Sequence, residues 1–197
     1  MKKRLGPVER LFPMPCVLVV GGTMDEADAL AVAWINVVSS TPPTLAMGLR
    51  NNRRTLALIR DNGGEFTVNI PGTALAAQVD YCGITSGNTA DKFADSGLTL
   101  VPGAQVGAPI IEECPYNIEC RTTHEVEVGD YVVIFGEIVE CHAEESILRE
   151  GTDIAEMDWL DPLIYCAGVR EYRGLGPKLH DAYSIGKTIR TAEPADG

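Results

Sequence analysis

The chain has 197 residues, of which 28 are acidic and 16 are lysine or arginine, so its formal net charge is −12. This balance argues against nucleic acid or a membrane surface as a partner, because phosphate backbones and anionic lipids both attract basic proteins. Hydrophobic residues make up 45% of the sequence, as in ordinary globular proteins. We therefore expect one domain, residues 1–197, with a single core.

The first residues and the cysteines favour a cytoplasmic protein. The start is basic, but Glu9 and Pro13 interrupt it, and the apolar run over residues 16–20 is too short for a signal peptide. No stretch is long and apolar enough to span a membrane. The six cysteines form no CxxC pair and lie mostly in apolar runs, which is typical of reduced, buried cysteines rather than of a disulfide framework.

Short strands are predicted along the first part of the chain. "CVLVVGG" reads as a strand that ends in a turn, and "TLAMGL" as a strand that returns beside its neighbour. "ALAVAWINVVSS" is predicted to be a strand, because its second half is β-branched and Pro42-Pro43 cannot continue a helix. Alternation then places one set of side chains on one face (Asn36, Val38 and Ser40) and the next set on the other (Val37, Ser39 and Thr41).

Helix signals follow. "NNRRTLALIRDNGG" predicts a helix with Asn51 or Asn52 as its N-cap and with Gly63-Gly64 ending it. After the strand "EFTVNIP", the segments "GTALAAQVDYCG" and "NTADKFADSG" predict two short helices with threonine caps and glycine stops.

The remaining segments are mostly β. "NIECRTTHEVEVGDYVVIFGEIVEC" alternates around Gly129-Asp130 and predicts a β-hairpin, and "PLIYCAGVREYRGLG" adds one more strand and an irregular return. A polar tail over residues 190–197 ends the chain and is expected to fray. Since strands follow one another without long helices between them, the sequence predicts a mostly antiparallel sheet or barrel with a few peripheral helices.

One stretch suggests an anion site. Residues 29–60 contain no acidic residue, although Arg50, Arg53 and Arg54 lie within five positions of one another. Arginines in the first turn of a helix are unfavourable for the helix itself, and a bound phosphate would remove that cost at an end that already favours anions. The alternative is a solvated turn whose arginines pair with distant carboxylates, and the sequence leaves both readings open.

Other chemistry receives little support. The hydroxyls of "NVVSST" could bind the same phosphate or the polar edge of a ring, or simply form turn hydrogen bonds. There is no GxGxxG, GxSxG or GxxxxGK[ST] motif, and the three histidines are scattered, so no metal site is expected. Cys82 is either a reactive thiol or, more commonly for such a residue, a small buried hydrophobe.

Several segments together resemble the flavin reductase-like, FMN-binding split-barrel family, and within it the flavoredoxin-type proteins. The resemblance runs from about residue 10 to residue 180, and the order and spacing of the segments make it specific. It rests on "AWINVVSSTPPTLAMGLRNNRRT", "GGEFTVNIP", "VDYCGITSGNTADKF", "APIIEECPYNIECR", "GDYVVIFGEIVE" and "DPLIYCAGVREYRGLG".

The resemblance implies a six-stranded antiparallel Greek-key split barrel, usually a homodimer with bound FMN near the subunit interface. It implies three groups of cofactor-binding residues: one along the isoalloxazine and ribityl chain (Asn36, Ser39, Ser40 and Thr41, together with Val37), one around the phosphate (Arg50, Arg53, Arg54 and Thr55), and one approaching from the following helices (Cys82, Gly83, Ser86, Lys92 and Phe93).

One departure bears on activity. Reductases of this family often carry a histidine after the Gly-Asp of "GDYVVIFGEIVE", and here that position is Tyr131. The first hypothesis is an FMN-dependent oxidoreductase that takes hydride from NAD(P)H and passes electrons to a small molecule or a protein, with no side chain acting as a catalytic acid or base. The second is a non-enzymatic FMN electron carrier reduced by a partner protein, and the third is a barrel that binds no flavin.

Overall fold

The computed structural model describes residues 1–190, so the predicted tail lies outside the described residues except for its first residue. Within them β-strands dominate. The strands are β1 (Met14–Pro15), β2 (Val17–Gly22), β3 (Ala27–Val32), β4 (Ile35–Ser40), β5 (Pro43–Arg50), β6 (Glu65–Ile70), β7 (Leu100–Val101), β8 (Ile110–Ile111), β9 (Tyr116–Val128), β10 (Tyr131–Ala143), β11 (Ile164–Cys166) and β12 (Glu171–Arg173). The α-helices are α1 (Arg54–Asp61), α2 (Ala76–Ile84), α3 (Lys92–Ser96) and α4 (Met157–Leu160), and short 3-10 helices cover Thr73–Leu75, Glu145–Ile147 and Ile185–Arg190.

Seven strands form one antiparallel sheet in the order β3-β2-β6-β9-β10-β5-β4. Its two edge strands are consecutive in the chain, because only Ala33 and Trp34 separate β3 from β4. Three Cα–Cα steps span at most about 11 Å, so the sheet must curl until its edges approach each other at this corner. The result is an antiparallel barrel that is open along one side.

The predicted class, mostly β with an antiparallel barrel and a few short helices, is confirmed, whereas the expected six strands are not: the sheet has seven. The difference lies in "ALAVAWINVVSS", which was predicted as one strand. It forms β3 and β4, which belong to opposite edges of the sheet. The break at Ala33-Trp34 falls inside the apolar run of residues 29–35, so the sequence carries no turn signal for it.

Both faces of the sheet near β2 are covered. Val17 and Val19 belong to the core inside the barrel, together with Leu56 and Ile59 of α1. Alternate residues of β2 contribute to a second core outside the barrel, beneath α2. This explains why "VLVVGG" is buried along its whole length.

Helix α1 closes the opening of the barrel. A Cβ atom on Gly21 of β2 would lie 2.6 Å from the Thr55 carbonyl oxygen and 2.7 Å from Cγ1 of Ile59, so the helix lies directly on the strand backbone. The predicted stop at Gly63-Gly64 is confirmed, and both glycines have positive φ. The predicted cap at Asn51 or Asn52 is wrong. These residues lie in a turn closed by a hydrogen bond from the Arg53 N–H to the Arg50 carbonyl, and Arg53 is the N-cap without a side-chain bond.

The predicted threonine caps of the next two helices are both wrong. The first segment begins as the 3-10 helix Thr73–Leu75 with Gly72 as its N-cap, and α2 follows with Leu75 as its N-cap and no side-chain bond. Helix α3 is capped by Asp91, whose carboxylate accepts a hydrogen bond from the Ala94 N–H at 3.1 Å, and not by a threonine. It ends at Gly97 with φ 72°, as predicted. Gly83, predicted as a stop, lies inside α2, which ends at Ile84.

The predicted hairpin is confirmed, with Val128 paired to Tyr131 around Gly129-Asp130. On its other side β9 pairs with β6, and three successive cross-strand pairs on the outer face are polar: Glu65 with Arg121, Thr67 with Glu119, and Asn69 with Asn117. No helix among residues 1–190 is long and apolar enough to cross a membrane.

Candidate functional site

A notch of 160 Å³ lies where β3, the end of β5 and the start of β10 meet. Its walls include the rings of Trp34 and Tyr131, whose centroids are 5.1 Å apart at an interplanar angle of 32°. The Arg50 guanidinium lies over the Tyr131 ring, with its Cζ atom 5.2 Å from the ring centroid. Arg53 completes the polar side, and small residues of β3 and β5 leave the space between. The notch therefore combines flat aromatic surface with two cations.

The two arginines of the notch are electrostatically available. No Asp or Glu lines the notch, and within residues 1–190 neither Arg50 nor Arg53 forms an ion pair. Helix α1 begins beside them with no acidic residue in its first turn and no side-chain cap. Its first N–H groups therefore add to the attraction for an anion.

The other side of the α1 start has a different character. Arg54 faces a cleft of 570 Å³, and its Nη2 atom lies 2.6 Å from Oε1 of Glu26. The buried Lys92 ammonium lies 3.0 Å from Oδ1 of Asp28 and donates to the Ala29 carbonyl at 2.5 Å. For Arg54, the alternative of an arginine paired with a distant carboxylate therefore holds.

Asp28 connects its own strand, β3, to the starts of α1 and α3. Its second carboxylate oxygen accepts a hydrogen bond from the Thr55 hydroxyl in the first turn of α1, while the first oxygen faces Lys92 at the start of α3. The loop before α3 packs so closely that a Cβ on Gly87 would lie 2.1 Å from Asp28 Oδ1. Thr55 and Lys92 thus both contact the buried Asp28 carboxylate, and their expected contact with FMN stays a prediction.

The residues expected from α2 lie behind this cluster. Cys82 is fully buried in the outer core, and burial raises the pKa of its thiol to about 11, with Lys92 lowering it and Asp28 raising it. It is therefore a buried hydrophobe and not a reactive thiol at neutral pH. Gly83 allows α2 to approach β3, since a Cβ there would lie 3.2 Å from that of Ala31. The Ser86 carbonyl accepts hydrogen bonds from the Thr89 N–H and hydroxyl in the loop before α3, and Phe93 lines the cleft.

The hydroxyl residues expected at the site, at the end of β4, lie beside the start of β5, whereas Arg50 lies at its end. Ser40 pairs with Pro43, and seven residue steps of about 3.3 Å each lead along the strand from Pro43 to Arg50, a distance of about 23 Å. Within one chain, Ser39, Ser40 and Thr41 therefore do not share a site with the arginine turn. The predicted alternation also fails, because a bulge between Val37 and Ser39 leaves Val38 unpaired with β5.

Sequence reasoning missed Trp34, Glu26 and Asp28 as members of this region. Asp28 carried a usable signal, since a single carboxylate inside the apolar run "ADALAVAW" must find a buried partner. Trp34 and Glu26 had no such signal, because their neighbours come from β10 and from α1. Among residues 1–190 no group of three or more His, Cys, Asp or Glu side chains could hold a metal ion.

The fold is that of a split barrel, with the notch beside the start of α1. The chain belongs to the family described as "Flavin reductase like domain", whose sequence model matches residues 9–176. It is similar to the flavoredoxin of Desulfovibrio vulgaris (Miyazaki F), with 37% identity, a TM-score of 0.88 and coverage of 94% of this chain and 100% of that chain.

Two further relatives bear on function. The flavoredoxin of Methanosarcina acetivorans has 30% identity and a TM-score of 0.87, with coverage of 96% of this chain and 100% of that chain. An NADH-dependent FMN reductase of Streptomyces nodosus subsp. asukaensis, AsuE2, is 27% identical over 136 residues, which is 69% of this chain and 72% of the relative.

Proposed function

We propose that the chain is an FMN-binding oxidoreductase that accepts hydride from NAD(P)H and passes electrons to a small-molecule or protein acceptor. The observation that carries this proposal is the notch. Two aromatic rings stand beside two arginines without carboxylate partners among the described residues, at the uncapped start of a helix. A flavin nucleotide needs a flat apolar contact for its ring and cationic groups for its phosphate, and these residues supply both.

The residues of the notch fit FMN in distinct roles. Trp34 and Tyr131 offer the surface for the ring system, and Ala31, Ala33 and Gly48 leave room beside them. Arg53 and the N–H groups of α1 hold the phosphate. Arg50 contacts the Tyr131 ring. We therefore assign it to the isoalloxazine end of the site and not to the phosphate.

The cofactor supplies the electron-accepting ring when bound, and the protein supplies placement and electrostatics. No side chain of the notch is arranged as an acid–base pair, and Cys82 is held as a neutral thiol. The residues assigned to the site therefore bind and orient, and none is assigned a proton-transfer step.

Ser39, Ser40 and Thr41 could reach a flavin only from a second copy of the chain. We therefore propose a homodimer in which β4 of one chain approaches the site of the other. The exposure of Val37 (60%) and Val38 (54%) on this edge strand supports the proposal, because such an apolar edge is usually covered.

A second candidate function is an electron carrier reduced by a partner protein. The observation that favours it is the position of Tyr131, whose ring contacts Trp34 and Arg50 at the place where reductases of this family often carry a histidine. The acidic net charge of −12 would suit a basic redox partner.

Anaerobic stopped-flow mixing of the FMN-loaded protein with NADH and with NADPH tests the activity. The reductase proposal expects rapid loss of the visible flavin absorbance with at least one of the two nucleotides. If neither reduces the flavin while a chemical reductant does, the reductase proposal is contradicted and the carrier function is supported.

A further inference from the structure

The cleft on the Arg54 side of α1 carries more negative than positive charge. Asp25, Glu26, Asp28 and Asp91 line it, against Arg54 and Lys92 as its cations. Both cations already have carboxylate partners. An anion that enters here must therefore compete with side chains of the protein itself.

The two ion pairs of the cleft differ in accessibility. The Lys92–Asp28 pair is buried, with side-chain exposures of 2% and 4%, and Asp28 is further fixed by the Thr55 hydroxyl. The Arg54–Glu26 pair is open to solvent, with side-chain exposures of 30% and 64%. Of the two, only the Arg54–Glu26 pair can exchange its anion without disturbing the core.

Glu26 is presented by a rigid turn. The Thr23 N–H donates to the Glu26 carbonyl at 2.9 Å, and the Glu26 N–H donates to the Thr23 carbonyl at 3.2 Å. Gly22 before the turn has φ 98°, and a Cβ there would lie 2.0 Å from the Glu26 carbonyl oxygen. The backbone of Glu26 is therefore fixed while its side chain remains free to swing away from Arg54.

Arg54 is equally well positioned. It is the first residue of α1 and follows Arg53, which is proposed to bind the phosphate. Its side chain packs closely on the loop before α3, since a Cβ on Gly87 would lie 2.9 Å from the Arg54 Cδ atom. A guanidinium held in this place can bind the Glu26 carboxylate or a phosphate, and a phosphate carries more charge and three acceptor oxygens.

We propose that the phosphate of FMN contacts Arg54 as well as Arg53 at the start of α1, and that the Glu26 carboxylate competes with it for Arg54. This carboxylate occupies Arg54 when no phosphate is bound and is displaced when FMN enters, which weakens FMN binding and speeds its release. The inference rests on the proposed function, and it predicts that Glu26 lowers the affinity of this site for FMN.

The test compares Glu26→Gln with the wild-type protein by fluorescence titration of the apoprotein with FMN and with riboflavin, which lacks the phosphate. Exposed ion pairs of this kind are weak, so we expect FMN to bind about three- to fivefold more tightly to the variant and to dissociate correspondingly more slowly. Riboflavin affinity should not change. Thermal unfolding of the apo forms should remain within a degree or two, because Glu26 is exposed.

Asp25→Asn is the matched control. Asp25 lies in the same turn, lines the same cleft and forms no ion pair within residues 1–190, so its replacement changes the net charge equally without freeing Arg54. We expect less than a twofold effect on FMN binding, since salt screens exposed charges that are not in contact.

The outcomes separate the two proposals. Unchanged FMN affinity in Glu26→Gln, an equal gain for riboflavin, or an equal gain in Asp25→Asn would overturn the role of Glu26 while leaving FMN binding intact. If the wild-type protein binds neither flavin, the proposed function fails, and the role of Glu26 fails with it.

Discussion

At the scale of single residues, the three clustered arginines have three different environments. Arg50 lies over the Tyr131 ring, Arg54 is paired with Glu26, and Arg53 has no carboxylate partner among residues 1–190. The sequence shows the three arginines as one cluster, but it does not indicate which of them has an aromatic or a carboxylate partner. Their partners come from β10 and from the β2–β3 turn, which are distant in the chain.

Cys82 illustrates how burial decides the chemistry of a residue. Its pKa is raised to about 11, mainly by burial, so the thiol is protonated at pH 8. We expect iodoacetamide at pH 8 to modify the exposed Cys141 in the native protein and to leave Cys82 unmodified, as measured by peptide mass spectrometry. Both should react alike in urea. Labelling of native Cys82 as fast as Cys141 would contradict the buried position.

Among the elements, β6 and β9 share a polar ladder, which consists of the pairs Glu65–Arg121, Thr67–Glu119 and Asn69–Asn117. This polar ladder holds the loop that precedes β8. Glu119 is fully buried, and its carboxylate accepts hydrogen bonds from the Ala104, Gln105 and Val106 N–H groups at 2.7, 2.7 and 2.8 Å. Nε2 of His142 lies 2.5 Å from the same group. The carboxylate thus accepts hydrogen bonds from three backbone N–H groups that would otherwise lack partners.

The ladder predicts a specific acid sensitivity. Burial alone would raise the pKa of the Glu119 carboxyl, but the hydrogen bonds from His142 and the three amides lower it below its ordinary value of 4.5. A lowered folded-state pKa stabilises the protein above the unfolded-state pKa, and the contribution is lost as pH falls through the folded-state pKa. We expect Glu119→Gln to lose about 2–4 kcal/mol of unfolding free energy at pH 7.

Urea unfolding measured between pH 7 and pH 3.5 checks this expectation. The gap between wild type and Glu119→Gln should narrow as the pH falls below about 4.5, because the carboxyl of the unfolded chain then takes up a proton while the folded carboxyl, with its lowered pKa, stays ionised to lower pH. Glu127→Gln, an exposed change on the same strand, is the control and should track the wild type. A gap that stays constant with pH would contradict the role of the charge.

Most elements were predictable because their signals are local. The hairpin around Gly129-Asp130 and the end of α1 at Gly63-Gly64 follow from turn chemistry within a few residues. The failures depend on distant contacts or on competing turns. Asn51 and Asn52 belong to the turn before α1 and so do not cap it, and the break at Ala33-Trp34 is set by closure of the barrel.

At the scale of the whole molecule, the position of β4 bears on assembly. Its hydroxyls lie about 23 Å from Arg50 along the β5 strand, and its valines are exposed. We expect sedimentation equilibrium to give twice the mass of one chain. Val37→Glu should shift the protein toward monomer, while Val169→Glu, an equally exposed valine outside this sheet, should not. A wild-type monomer at micromolar concentration would contradict the dimer.

Titration of wild-type and Arg53→Ala apoprotein with FMN and with riboflavin tests whether the start of α1 binds the phosphate of a flavin nucleotide. A charge-assisted hydrogen bond contributes about 1.5–3 kcal/mol, so we expect FMN affinity to fall at least tenfold while riboflavin affinity is unchanged. Arg60→Ala, in the last turn of the same helix, should leave both affinities unaltered. Equal losses for the two ligands, or no loss for FMN, would contradict the assignment.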